Sequence, residues 1–582
     1  MMSFSQKAIF KKIPIHLHQF IANQDYDLYY NARDQAVWRY VMSQLSHQLK
    51  FSAHPNYIEG LEKTGISIEK IPSIEEMNKC LSKLGWMAIV VDGFIPPQAF
   101  MELQALKVLA IALDMRSIEQ ILYTPAPDIV HESAGHAPMV YDAEYSVYLQ
   151  SFGEIGVKAM FTKQDKEVYE AVRHLSIMKG YPSTKKEEIK QAEENLNNKL
   201  SSVTVLSESS LLTRLHWWTV EYGLVGTVNS YTIYGAGLLS SLSESKSCLD
   251  DENVKKIPLT VDAVNTPYDI TNPQPQLFVT KSCRHLIQVL EDFADQMCFR
   301  KGGAESVQVA IDSEIISTCE YSSGLQVSGL FTRLLKNSIN KEIYIGTTGP
   351  TQISVNNKEL DGHGISYHTE GFGSPVGPIC NLMTPLENAT EYDLIALNIK
   401  REHVVHLEFV SGIEVIGVLK KIHKKLGKNV LMTFENCTVT SPTGDVLFQP
   451  EWGIYDMAVG LKISSVFSGS ADKTKFDVYP SKSEETAKKI KYSEKEKSEF
   501  LIYNEIRSIR ETGKNFKRIE EIITLLKNEK SESWLLFLEI LELLKKGSKE
   551  YTDVRNTLIS ISKINNKEKH LIDRGLNLLD SE

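Results

Sequence analysis

His131 and His136 stand five residues apart in the run Pro127-Asp-Ile-Val-His-Glu-Ser-Ala-Gly-His136, with Glu132 beside the first. Neutral imidazole is the commonest side-chain metal ligand, so two in one short run invite a metal reading. The spacing departs from the zinc-protease helix His-Glu-x-x-His, because Gly135 holds the place of the second ligand. On an ideal α-helix a five-residue step turns roughly 140°, so both rings face one ion only at a frayed or bent turn. Two satisfied histidines near a helix end are the alternative.

A carboxylate supplies a third candidate. Glu221 lies in Arg214-Leu-His-Trp-Trp-Thr-Val-Glu-Tyr-Gly-Leu224, a stretch apolar enough for a buried helix. A buried carboxylate without a partner is costly, so Glu221 calls for a cation, a hydrogen-bond donor or an arginine such as Arg214. Two histidines with one distant carboxylate make the facial triad of non-haem Fe(II) oxygenases, which leaves coordination positions open for oxygen. Trp217 sits one helical turn before Glu221, on the same face.

Helices must position most of these groups. Pro125 and Pro127 fix two φ angles, and Asp128 is a fitting N-cap for the helix that carries the histidines. Upstream, Val37, Tyr40, Val41 and Leu45 recur at helical spacing, and Ser73 with Glu76 three residues on reads as a helix start. Trp86 to Pro97 is a short apolar run into a Gly/Pro loop, followed by a helix from Gln98. Residues 163–210 contain charged runs that suit a solvated helical excursion. Residues 305–475 alternate with period two between Gly and Asn/Asp turns, which predicts a β-rich domain. Its His363 and His368 are also five apart; on a strand an odd step separates them to opposite faces, so no shared ion is expected there. Residues 480–582 turn Lys/Glu-rich and helical, with an apolar stripe from Trp534 that suits docking or oligomerisation.

The 582 residues suffice for three or four domains, and 42% hydrophobic with 24% charged residues is ordinary globular composition. A formal charge of -10 gives no electrostatic footprint for nucleic acid. No apolar run has the length of a membrane span, and the start of the chain lacks a signal peptide's apolar core. Seven scattered cysteines form neither a disulfide framework nor a zinc pattern, so a reducing cytoplasm is the expected compartment.

Three blocks together carry a resemblance: Tyr123-Thr-Pro-x-Pro-Asp-x-x-His-Glu-x-x-Gly-His136, Trp218-Thr-Val-Glu-Tyr-Gly223 and Tyr234-Gly-Ala-Gly-Leu-Leu-Ser-Ser241. In this order they resemble the tetrahydropterin-dependent aromatic amino acid hydroxylases, from about residue 25 to about residue 297. The resemblance implies a mainly α catalytic domain over 1–304, of the bacterial type without a preceding regulatory domain. A β-rich domain over 305–478 and an α-helical region over 479–582 then follow.

It also implies Fe(II) and a tetrahydropterin as cofactors, O2 as co-substrate and a small aromatic amino acid as substrate. The residues matching the iron ligands are His131, His136 and Glu221. Those matching the pterin site are Gly93, Phe94, Ile95 and Phe100, although a phenylalanine opening an amphipathic helix is also an ordinary core residue. Glu132 is expected near the pterin, with a solvated first-turn acid as the alternative. Arg116 matches the arginine that binds the substrate carboxylate, steadied by Asp128. Thr124, Trp217, Gly237 and Ile270 match positions around the substrate, and Ser240 matches a serine bonded to a ligand histidine. Trp217 and Ile270 favour phenylalanine, in an oxidoreductase of phenylalanine catabolism. Hydroxylation of tyrosine or tryptophan is the alternative. A zinc hydrolase, or a scaffold with a vestigial catalytic half, stays open on the residues alone.

Overall fold

The computed structural model describes residues 10–93, 95–122, 127–180, 184–269, 272–476, 479, 492–565 and 568–581. Phe94, Thr124 and Ile270 therefore lie outside the described residues.

Helices dominate the first half. The Ala32–Leu49 helix opens on a capping box, Asn31 with Asp34, and buries Val37, Tyr40, Val41 and Leu45 along one face. Ser73 caps the Ile74–Leu81 helix by accepting the Glu76 N–H. Two small sheets brace these helices. In one, Met87–Val91 lies between Ile21–Ala22 and Val108–Ala112; in the other the order is Ser230–Ile233, Leu224–Thr227, Gln276–Thr280, Lys255–Pro258. The Pro97–Ala105 helix leaves the first sheet with Pro97 in its first turn, where a missing N–H costs nothing. The charged excursion is a helical hairpin, Lys163–Gly180 and Lys186–Ser202, with its own small apolar cluster around Ala171, Leu175, Ala192 and Leu196.

Residues 316–468 form two antiparallel sheets. The six-stranded sheet runs Lys358–Glu359, Glu342–Val355, Leu325–Lys336, Ile316–Tyr321, Ile463–Ser468, with Gly373–Pro375 also paired to Glu342–Val355. The five-stranded sheet runs Val404–Glu408, Glu414–Lys425, Lys428–Thr440, Val446–Phe448, with Tyr455–Ala458 also paired to Lys428–Thr440. One expectation for this domain is corrected. His363 and His368 are not on a strand: Gly362 takes φ +83°, and the His368 N–H bonds back to the Gly364 carbonyl in a helix-like turn. That turn brings the two rings to the same side, 5.5 Å apart.

Among the described residues five helices follow, Glu494–Thr512, Lys517–Asn528, Trp534–Leu543, Lys549–Ile564 and Lys569–Ser581. The Trp534 stripe is buried inside the chain itself, against the Ala32–Leu49 helix. Tyr40 meets the Trp534 ring at 5.2 Å and donates its hydroxyl to the Leu571 carbonyl. Arg39 bonds Glu539 and Glu542, which Arg510 holds from the other side. Residues 534–541 are apolar nearly all round, and such a helix packs as core. Among the described residues no helix is long and apolar enough to cross a membrane.

Candidate metal centre and substrate site

The bent turn that the histidine spacing requires is a π-helical one. Over His131–His136 the backbone widens, and the Ala137 N–H reaches back five residues to the Glu132 carbonyl. An i→i+5 turn puts residues five apart on one face, and such bulges recur at functional sites. Asp128 caps the entry: its Oδ1 accepts the His131 N–H at 3.0 Å. Glu221 ends a second π-turn, Trp217–Glu221, closed by the Tyr222 N–H on the Trp217 carbonyl at 2.9 Å.

The two turns aim their side chains at one point. His131 Nε2 and His136 Nε2 are 3.1 Å apart. Glu221 Oε2 is 3.4 Å from His131 Nε2, and its Oε1 is 3.3 Å from His136 Nε2. Three facial ligands at bond lengths near 2.1 Å and right angles stand about 3.0 Å apart. The donor set therefore fits a divalent ion. Arg214 is not the partner of Glu221; it donates to the Asn265 carbonyl.

Neighbouring groups fix the protons. The Ser240 hydroxyl donates to the Ala236 carbonyl at 2.8 Å, so its oxygen accepts from His131 Nδ1 at 3.1 Å. That assigns the His131 proton to Nδ1 and leaves Nε2 bare for the ion. Burial opposes charge on Glu221, but His136 and His131 hold its carboxyl well below the usual range. Glu132 goes the other way. Burial, with Glu221 and Asp128 adding and His136 opposing, pushes its carboxyl up to about 8. It is not a solvated acid; its Oε2 lies 3.9 Å from His136 Nε2.

Arg116 is buried, and its Nε and Nη2 fork both oxygens of Asp128 at 2.8 Å. Nη1 donates to the Ser240 carbonyl at 3.2 Å. A guanidinium has five N–H groups, so two remain for an anionic group. Glycines let the walls close. A Cβ on Gly135 would stand 2.6 Å from the Ala236 carbonyl oxygen, and one on Gly235 would stand 2.5 Å from that of Glu221.

Residues 18–177 and 199–301 match the family model of the biopterin-dependent aromatic amino acid hydroxylases. Over these residues, a little under half of the chain, the sequence is similar to that family. The gap in the match, residues 178–198, falls on the helical hairpin. Two similar proteins are phenylalanine-4-hydroxylases. That of Pseudomonas aeruginosa is 28% identical over 47% of this chain and 89% of its own length. That of Chromobacterium violaceum is 28% identical over 46% of this chain and 75% of its own. A solved phenylalanine hydroxylase from C. violaceum, with iron and phenylalanine bound, is 26% identical over 48% of this chain and 87% of that one, with a TM-score of 0.37.

In the hydroxylase domain, the remaining expected positions fall as follows. Gly93 adopts φ +70°, and Ile95 and Phe100 pack on the cluster under the Pro97–Ala105 helix. Gly237 lies against the Tyr222 ring, where a Cβ would approach to 3.1 Å. Trp217 is stacked between Tyr222, at 4.7 Å, and Tyr268, at 4.4 Å.

The sequence reading passed over His216. Its Nδ1 lies 3.7 Å from Glu221 Oε1, and its ring contacts Phe100 and Phe152. Burial pushes it down to about 4, although Glu221 pulls the other way, so the ring is neutral. The signal was present: His216 precedes Glu221 by the same five-residue step as the histidine pair.

Proposed function

We propose that the hydroxylase domain converts L-phenylalanine to L-tyrosine with O2 and a tetrahydropterin, at an Fe(II) held by His131, His136 and Glu221. The observation that carries this is the meeting of those three side chains, 3.1 to 3.4 Å apart, across two π-turns. The domain is a monooxygenase, and its cofactors are iron and a reduced pterin. Bound together they supply the activation of O2; the chain's own residues do the rest.

His131, His136 and Glu221 would hold the ion from one side of the pocket, and the ion would supply a site for O2. Ser240 keeps the His131 proton on Nδ1, away from the metal. Arg116, fixed by Asp128, presents its two free N–H groups to the substrate carboxylate. Trp217, held by two tyrosine rings, and Gly237 shape the place for the substrate ring. Phe100 offers an aromatic face for the pterin, next to His216, and Gly93 and Ile95 lie in the loop before it. Glu132, beside the ligand His131 and 3.9 Å from His136, is placed to orient the pterin or a water. Both neighbours named above, at 28% identity, are phenylalanine-4-hydroxylases, which supports phenylalanine over the other aromatic amino acids.

The test is steady-state turnover of the full chain with Fe(II), tetrahydropterin and each of phenylalanine, tyrosine and tryptophan. Tyrosine formation with the highest kcat/KM on phenylalanine is the expected result. A higher kcat/KM on tyrosine or tryptophan would overturn the substrate assignment. Full activity of the His131→Ala or Glu221→Ala variant would overturn the ligand set.

A further inference from the structure

A second cluster lies in the β-rich domain, on elements unconnected with the first. His363, His368 and Asp456 each offer one ligand atom, all within 4.8 Å of one another, and all three residues are buried. His363 Nδ1 is 3.3 Å from His368 Nε2 and 3.7 Å from Asp456 Oδ2. We propose that these three residues bind a divalent first-row transition ion in a structural role, with water completing a tetrahedral shell.

Bond lengths near 2.1 Å at tetrahedral angles put ligand atoms about 3.4 Å apart, close to the two separations from His363, while His368 and Asp456 stand within 4.8 Å of each other. One nitrogen, His363 Nδ1, faces both an imidazole nitrogen and a carboxylate oxygen, and it carries at most one proton. A single proton on His363 Nδ1 serves the 3.3 Å contact with His368 and leaves the 3.7 Å contact with Asp456 without a hydrogen bond. Asp456 is buried, and among the described residues no lysine or arginine stands within ion-pair distance of it. Its hydrogen-bond donors are the Thr433 and Tyr367 hydroxyls, both neutral, so a cation bound between it and the histidines would balance its buried charge.

The surroundings are built to aim the ligands. The Thr433 hydroxyl donates to Asp456 Oδ1 at 2.6 Å, and His423 Nε2 lies 3.3 Å from the same hydroxyl oxygen. His423 Nε2–H to Thr433 to Asp456 is thus a consistent donor chain that occupies Oδ1 and turns Oδ2 toward the histidines. The backbone of His363 donates to the Leu360 carbonyl, and the His368 carbonyl accepts from Thr351, so both ligands are fixed at the main chain. The Tyr367 ring closes over the pair at 5.4 Å from His363 and 4.7 Å from His368.

The consequence is mechanical. The histidines sit in the loop between Lys358–Glu359 and Gly373–Pro375 of the six-stranded sheet, whereas Asp456 is on Tyr455–Ala458 of the five-stranded one. The ion ties the two sheets together. Two imidazoles with one carboxylate suit Zn(II), Fe(II) or Ni(II) and disfavour Mg(II) and Ca(II), which prefer all-oxygen shells.

The test uses Co(II) as a visible probe in the full chain, with the iron ligands removed by His131→Ala and His136→Ala. After chelator washing, this variant is expected to bind one equivalent of Co(II), with tetrahedral visible absorption and a higher Tm. Adding Asp456→Asn or His368→Gln should weaken Co(II) binding by about 100-fold or more, with the far-UV circular dichroism unchanged. If the silenced variant does not fold, elemental analysis of the washed and Zn(II)-reconstituted native chain decides: two equivalents support the site, and one overturns it. A silenced variant with native circular dichroism that binds no Co(II) would also overturn it. So would binding that is indifferent to both added substitutions.

Discussion

The Ser240 hydroxyl has one proton, and its donation to Ala236 decides the tautomer of a histidine across the site. Ser240→Ala removes the acceptor for His131 Nδ1–H without touching the three ligand atoms. Support of this kind is commonly worth about 10- to 100-fold in metal affinity. The expected outcome is a fall of that size in Fe(II) binding, measured by anaerobic titration, with little change in Tm. The same residue scale shows what was legible beforehand. The types and order of His131, His136 and Glu221 stand in the sequence, and so does the Arg116–Asp128 pair. Their meeting does not, because it depends on two turns whose hydrogen-bond register no residue type announces.

Those turns set the element scale. An α-helical reading of the histidine run puts the rings about 140° apart, and only an i→i+5 turn puts them on one face. The turn fits because Gly135 leaves room for the Ala236 carbonyl. Gly135→Ala is expected to destabilise the fold by about 1–3 kcal/mol through overpacking and to displace His136. Denaturant unfolding and the Fe(II) stoichiometry of the folded fraction check both parts. Period-two alternation located the β-rich domain in outline, but it misread His363 and His368, because Gly362 breaks the strand pattern and a turn follows. The Ala32–Leu49 helix was visible from its spacing; what covers its face was not, since local periodicity is silent about partners hundreds of residues away.

At the scale of the whole molecule the two halves are clasped around Glu102, on the helix that carries Phe100. His16, Lys473 and Tyr479 surround its carboxylate at 2.7 to 2.9 Å. Burial raises its pKa, but these partners outweigh burial and bring it down to about 2 from an ordinary 4.5. A depressed carboxylate stabilises the fold fully above its unfolded value, and that stabilisation is lost as pH falls through the folded one. Glu102→Gln should therefore cost on the order of 3 kcal/mol at pH 7, with the difference from the native chain closing as the pH falls from 4.5 to 2. Urea unfolding across that range measures it.

Deleting residues 493–582 tests the other clasp. It uncovers Tyr40 and leaves Arg39 without Glu539 and Glu542, so the shortened chain should lose roughly 5 kcal/mol or more and yield less folded protein. Thermal melts and gel filtration of both forms give the readout.

Arg39 and Glu539 are 500 residues apart along the chain. At synthesis rates of about 5–20 residues per second, the first long helix waits roughly 25–100 s on the ribosome before its covering helices emerge. During that interval its greasy flank has no mate. The nascent polypeptide should then be a client for chaperones until translation ends, and pulse-labelled chains trapped midway should be protease-sensitive around residues 32–49.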